Sequence, residues 1–235
     1  MQIRNFSVAI FALLFAASSA FADIIFTGSA GPNQDATAVF HFVDANHLTL
    51  TLSDTGDIND ISSVLDDFHF NLSASPSIAS LTSISGHGFV DCTASTNTTP
   101  NCTNNNVTNA NSTWSLGLTG AHIDMAAGNG MHPYGIVNNS IFTNANLDGL
   151  RNSQHNPYLL GDVTFSILLT GLTGIPTISN VDFTFGTRPE HVPGILCTPP
   201  NPNCVTRVTL PEPASAALVA LALLGMGFVR RRRQH

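Results

Sequence analysis

ATAVFHFVDANHLTLTLS, residues 36–53, carries the pattern that decides the fold class. In its first half Ala38, Phe40 and Phe42 alternate with Val39, His41 and Val43. In its second half Leu48, Leu50 and Leu52 alternate with threonines. Side chains of a β-strand point to opposite faces in turn, so each half buries one face and wets the other. The same period of two recurs at Phe68, Phe70 and Leu72, at Val163, Phe165, Ile167 and Leu169, and at Val181, Phe183 and Phe185. Between these runs lie clusters of turn formers, DTGDIND at 54–60, SASPS at 73–77 and TGLTGIP at 170–176.

Many short one-faced strands in one stretch of chain predict an all-β fold. The expected form is a single antiparallel β-sandwich, jelly-roll-like, in which two sheets bury their apolar faces against each other. A closed barrel satisfies the same alternation. No capped helical pattern is sustained between the two termini, and Ala121 to Ala127 and Asn146 to Asn152 are each read as one helical turn at most. Residues 94–111, rich in Asn and Thr, are expected to form a surface loop.

The two ends differ from this body. Residues 1–22, MQIRNFSVAIFALLFAASSAFA, have the three parts of a secretory signal peptide. Arg4 is the basic start, Val8 to Ala17 the apolar stretch, and Ala20 and Ala22 the small residues of a cleavage site, placing the mature start at Asp23. At the other end, 210–235 reads LPEPASAALVALALLGMGFVRRRRQH. Ala214 to Val229 carries no charge and, as a helix rising 1.5 Å per residue, would span about 24 Å. That is slightly short of a hydrocarbon core, a gap that snorkelling arginines and local thinning can close. Arg230, Arg231, Arg232 and Arg233 follow and resist translocation. Pro211 and Pro213 keep Glu212 in an extended segment just before the apolar span.

At these residues the chain resembles the PEP-CTERM family of bacterial surface proteins, whose members end in a Pro-Glu-Pro signature, one transmembrane segment and an arginine cluster. The resemblance implies recognition of Pro211, Glu212 and Pro213 by exosortase, a membrane cysteine transpeptidase. It implies that Ala214 to Val229 is an inner-membrane anchor, transient or permanent, and that Arg230 to Arg233 is the stop signal. It also implies delivery to the cell surface or extracellular matrix of a Gram-negative bacterium, in association with exopolysaccharide. Within the body, residues 48–72, 131–140, 156–174 and 179–187 are similar to stretches of proteins that carry this tag, a likeness that implies fold and location and no activity.

Composition narrows the remaining functions. The chain has no lysine, and residues 23–209 hold three arginines against fourteen acids, a net charge of −11. Such a surface repels nucleic acid, which needs cationic partners. Export places the four cysteines where disulfides persist. Three connectivities exist; the expected bridges are the local ones, Cys92 with Cys102 and Cys197 with Cys204, because each pair flanks a turn-rich segment. Neither pair has zinc-finger spacing.

Signals of catalysis are missing: there is no G-x-S-x-G elbow, and S-x-x-K needs a lysine the chain lacks. H-E-x-x-H is absent, and the nine histidines, His41 and His69 among them, read as scattered residues of polar strand faces. No metal site is expected from them. The acidic run Asp54, Asp57, Asp60, Asp66 and Asp67 offers the oxygen ligands calcium takes, without EF-hand spacing; a solvated turn between strands is the plainer reading. Asn71, Asn97, Asn101, Asn106, Asn111 and Asn138 each open an N-x-[ST] triplet, read as a by-product of a hydrophilic spacer. Trp114 is the only tryptophan and reads as core, although an exposed tryptophan could stack on a sugar ring. The expectation is a non-enzymatic surface or matrix protein, with a carbohydrate-binding module that tethers exopolysaccharide as the alternative and a secreted hydrolase as a distant one.

Overall fold

A computed structural model describes residues 22–31, 33–58, 61–86, 88–94, 102–104, 114–128, 133–138, 149–186 and 190–198. The expected signal peptide up to Phe21, Cys204 and the whole expected sorting tail from Leu210 lie outside the described residues, as does most of the expected 94–111 loop.

Among the described residues the chain is all-β. In order, the strands are β1 (Ile24–Ser29), β2 (Asp35–Phe42), β3 (His47–Asp54), β4 (Leu65–Leu72), β5 (Ile78–Ser85), β6 (Gly88–Asp91), β7 (Thr103–Asn104), β8 (Trp114–Thr119), β9 (His122–Ala127) and β10 (Ile136–Val137). They continue as β11 (Tyr158–Leu160), β12 (Val163–Thr170), β13 (Ile178–Phe185), β14 (Glu190–Pro193) and β15 (Ile195–Leu196). One 3-10 turn, Ile61–Ser63, precedes β4. No helix among the described residues is long and apolar enough to cross a membrane.

The strands form two sheets, one ordered β15-β1-β2-β3-β12-β5 and the other β14-β13-β4-β10-β11-β6-β7. In the second sheet β9 pairs with β4 beyond the end of β10, and β8 pairs with β9. Every ladder is antiparallel except β10 with β11, which run parallel, a departure from the expected pattern. Parallel neighbours need a long crossover, and the chain supplies one between Val137 and Tyr158.

The alternation works as strand geometry demands. Phe40 of β2 is fully buried, with Phe26 of β1 edge-on at 5.9 Å in its own sheet. From the other sheet it meets Phe68 and Phe70 of β4, at centroid distances of 6.0 and 5.0 Å. Phe183 of β13 continues the cluster, 5.2 Å from Phe68. One apolar cluster therefore draws on the inner faces of both sheets, with Leu48, Leu50 and Leu52 from β3 and Phe165 from β12 filling it. Gly28 of β1 permits a close approach across the core: a Cβ there would stand 2.6 Å from the Phe183 ring, so a larger residue would force that ring to shift.

Correction comes at Ala121 to Ala127. Its alanines favour helix, but His122–Ala127 is strand β9, with Ile123, Met125 and Ala127 turned inward. Burial of those three against the aromatic cluster outweighs local propensity. Of Asn146 to Asn152 only residues 149–152 are described, where Asn152 N–H donates to the Gly149 carbonyl at 3.1 Å in a turn.

A second, smaller apolar cluster includes Val90, Cys92, Val137, Leu150 and Tyr158. Cys92 and Cys102 are joined by a disulfide, as expected from the local pairing. Cys197 is disulfide-bonded too; Cys204, its expected partner, lies outside the described residues. Asn156 organises this region: its Oδ1 accepts from the Cys92 N–H at 2.8 Å, and its Nδ2 donates to the Leu150 and Asn152 carbonyls. The Tyr158 hydroxyl donates to the Leu150 carbonyl at 3.0 Å, so the polar groups of Asn156 and Tyr158 are paired.

If Phe40 links the two sheets, Phe40→Ala should lower unfolding free energy by about 3–5 kcal/mol in urea titration. Thr37→Ala, on the other face of the same strand, should cost about 1 kcal/mol or less. Equal losses at the two positions would contradict the two-faced reading of β2.

Candidate functional site

The outward face of the second sheet carries a concentration of histidine and aspartate. In β4, Phe68, Phe70 and Leu72 point inward, so Asp67, His69 and Asn71 point out. In β9, Ile123 and Met125 point inward and leave His122 and Asp124 exposed. In β13, Val181 and Phe183 enclose the outward Asp182, and in β14 the burial of Val192 turns His191 out.

Register then brings these residues together. His69 stands directly opposite Asp124 of β9 and directly opposite Asp182 of β13. The second pairing depends on irregularity. Between Ser179 and Asp182 the β13 strand uses three steps where β4 uses two, and Asn180 there has φ 48°. Asn accepts this left-handed conformation more readily than most side chains. The bulge re-aims Asp182 onto His69, a frequent role of bulges beside sites. A second register shift, between Thr184 and Phe185, makes Asp66 the extra residue of β4.

At the centre His69 uses both ring nitrogens. Its Nδ1 is 3.3 Å from Asp124 Oδ1 and 3.8 Å from Asp67 Oδ1, while its Nε2 is 3.4 Å from Asp182 Oδ1. The same Asp182 oxygen is 2.8 Å from His191 Nδ1. The rings of His191 and His122 flank that of His69 at 5.6 and 5.8 Å, and His122 Nδ1 lies 2.8 Å from Asn71 Oδ1. The His69 side chain is only 19% exposed, so the centre of the cluster is shielded while its rim, at Asp124 and His191, is open. Burial, with the Asp124 charge adding to it, raises the Asp67 carboxyl to about 6.

Among the described residues, the acidic run that offers oxygen ligands for calcium does not gather into one group. Asp57 is exposed and Asp60 lies outside the described residues. Asp54 and Asp66 are buried. Asp54 Oδ1 accepts from the Gly56 N–H at 3.0 Å, tying down a turn. Of the run's described members only Asp67 joins a group with metal-ligand spacing, and its partners there are His69 and Asp124. The histidines read as scattered are thus partly gathered; Asp182 had no mark in the sequence beyond its place in an alternating strand, and His122, Asp124 and His191 had none.

Other expected residues can be placed as well. Trp114 is core: its ring packs 5.1 Å from Phe165 and its Nε1 donates to the Tyr134 carbonyl at 3.0 Å. It offers no platform for a sugar. Ala22, the last residue of the expected cleavage site, is exposed just before β1, whereas Ala20 lies outside the described residues. The sorting motif Pro211, Glu212 and Pro213 and the stop signal Arg230, Arg231, Arg232 and Arg233 lie outside them too. No protein-family model matches the chain, and no curated protein or solved structure matches it.

Desolvation lifts the Asp66 carboxyl to about 8 and the Asp54 carboxyl well above its ordinary range. The folded chain therefore keeps protons that the unfolded chain releases near pH 4, so both groups favour the fold in acid, and Asp66 loses its contribution as pH rises toward about 8. Thermal unfolding should shift to lower temperature across that window. Asp66→Asn should flatten the decline and overtake the parent at about pH 9. Parallel curves for parent and variant would refute this assignment.

Proposed function

We propose that the chain is a non-enzymatic surface or extracellular-matrix protein, exported through its signal peptide and sorted by exosortase through residues 210–235. The carrying observation is the ordered trio at the C-terminus: Pro211-Glu212-Pro213, the uncharged stretch Ala214 to Val229, then Arg230 to Arg233. In this reading the body is a β-sandwich delivered outside the cell, and the tail is its temporary transmembrane anchor. Support for the sandwich comes from the larger apolar cluster, which both sheets share. Support for an oxidising destination comes from the Cys92–Cys102 disulfide, since such bonds persist outside the cytoplasm. The acidic, lysine-free body suits a matrix component that stays soluble and avoids nucleic acid.

The alternative, a carbohydrate-binding module, loses its one aromatic candidate to the core, because Trp114 is buried. No other observation favours it over a structural role.

Intact-mass and C-terminal peptide measurement on protein recovered from its native host's surface tests the proposal. The expected chain ends near Pro211 to Pro213, alone or joined to another molecule. Mature protein that retains Ala214 to His235 would make the tail a permanent anchor and overturn the sorting reading.

A further inference from the structure

We propose that His69, Asp182 and His191 form a binding site for a divalent transition-metal cation, with zinc as its representative. The site belongs to the folded body and stands or falls independently of how the tail is processed.

Donor chemistry is the first argument. Two imidazoles and one carboxylate make a mixed nitrogen and oxygen set, which suits zinc, copper or nickel; calcium and magnesium seek oxygen cages. Spacing is the second. Bonds of about 2.0–2.1 Å at tetrahedral angles hold neighbouring ligand atoms about 3.3–3.4 Å apart. His69 Nε2 lies 3.4 Å from Asp182 Oδ1, and His191 Nδ1 lies 2.8 Å from that same oxygen. All three ligand atoms fall within 4.8 Å of one another. Small rotations of Asp182 and the exposed His191 close the set around an ion, leaving a fourth position for water.

The surroundings supply the third argument. A metal-ligating histidine commonly gives its other ring N–H to a carboxylate, which fixes the tautomer and the ring. His69 Nδ1 faces Asp124 at 3.3 Å and Asp67 at 3.8 Å, leaving Nε2 as the nitrogen that takes the ion. Asp67, His69 and Asp124 also have ligand spacing, but a neutral imidazole has one free lone pair and serves one ion. The group with two imidazoles is the better match for a borderline cation. Asp124 and Asp67 are then positioning residues. Three carboxylates converge here without a lysine or arginine among these contacts, so a dication relieves their repulsion. The donors stand on neighbouring strands of one sheet, and β13 is held in register by its bulge at Asn180. Strand scaffolds hold ligands more firmly than loops do.

The test is calorimetric titration of zinc into the purified full chain, free of any added histidine tag and stripped with a chelator. Cobalt serves as a second, spectroscopic probe. The expected result is one zinc per chain and a cobalt spectrum showing nitrogen and oxygen coordination, both unaffected by millimolar calcium. His69→Gln and His191→Gln should each abolish the stoichiometric site, and Asp124→Asn should weaken it by about 10- to 100-fold. His191 is exposed, so its variant should retain the parent's unfolding transition and separate loss of binding from loss of fold. Absence of stoichiometric zinc binding in the parent would overturn the proposal. So would binding of equal strength in His69→Gln and His191→Gln, which would assign the ion to other histidines.

Discussion

Burial of Phe40 against Phe68 and Phe70 is the contact on which the rest of the molecule depends. It ties the middle of one sheet to the middle of the other, and it fixes which face of β2 and of β4 looks inward. Because strand side chains alternate, this choice leaves no freedom on the outer face. With Phe68 and Phe70 in the core, Asp67, His69 and Asn71 must face solvent. A slip of one residue would exchange the two sets, exposing three large apolar groups and burying an acid and an imidazole. That penalty holds the polar cluster in place, although no member of the cluster stabilises the sheet much by itself.

How much of this could be read from the chain follows from the range of each interaction. Alternation is local, so the inward residues of β2, β3, β4, β12 and β13 were visible, along with the polar character of His41 and His69. The local disulfide between Cys92 and Cys102 was visible for the same reason, since its ends bracket a turn-rich segment. Strand β9 was hidden because its alanines mimic helix and its apolar residues acquire meaning only against the packed aromatic cluster. The parallel pairing of β10 with β11 joins two very short strands across a long separation, and no periodicity announces it.

The candidate site was half legible in the same sense. Asp67, His69 and Asp182 occupy polar positions of strands legible by alternation, so their exposure could be inferred; their neighbours, and the places of His122, Asp124 and His191, could not. Pairing of β4 with β9 and with β13 sets His69 opposite Asp124 and Asp182, at sequence separations of 55 and 113 residues. The bulge at Asn180 adds a shift that simple alternation cannot anticipate, and Asn180 is an ordinary polar residue until its φ of 48° is known. Conversely, the acids that looked like a group in sequence, Asp54, Asp57, Asp66 and Asp67, are dispersed by the fold among a buried turn, an exposed loop, a bulge and the outer face of a sheet.

The two bulges of the β13–β4 ladder connect these observations. Between them Asp182, Phe183 and Thr184 pair in regular register with His69, Phe68 and Asp67. Phe183 from this short segment packs on Phe68 within the core, and Asp182 meets His69 on the opposite face. The same few residues thus anchor the apolar cluster and aim the polar one. Outside the segment the ladder is shifted, and the extra residue at one end is Asp66, whose buried carboxyl is held largely neutral up to about pH 8. Neutrality lowers the cost of burying an acid at the bulge. The strand irregularity that places a charge-bearing residue in the interior at one end is matched, at the other, by one that brings a carboxylate to a histidine at the surface.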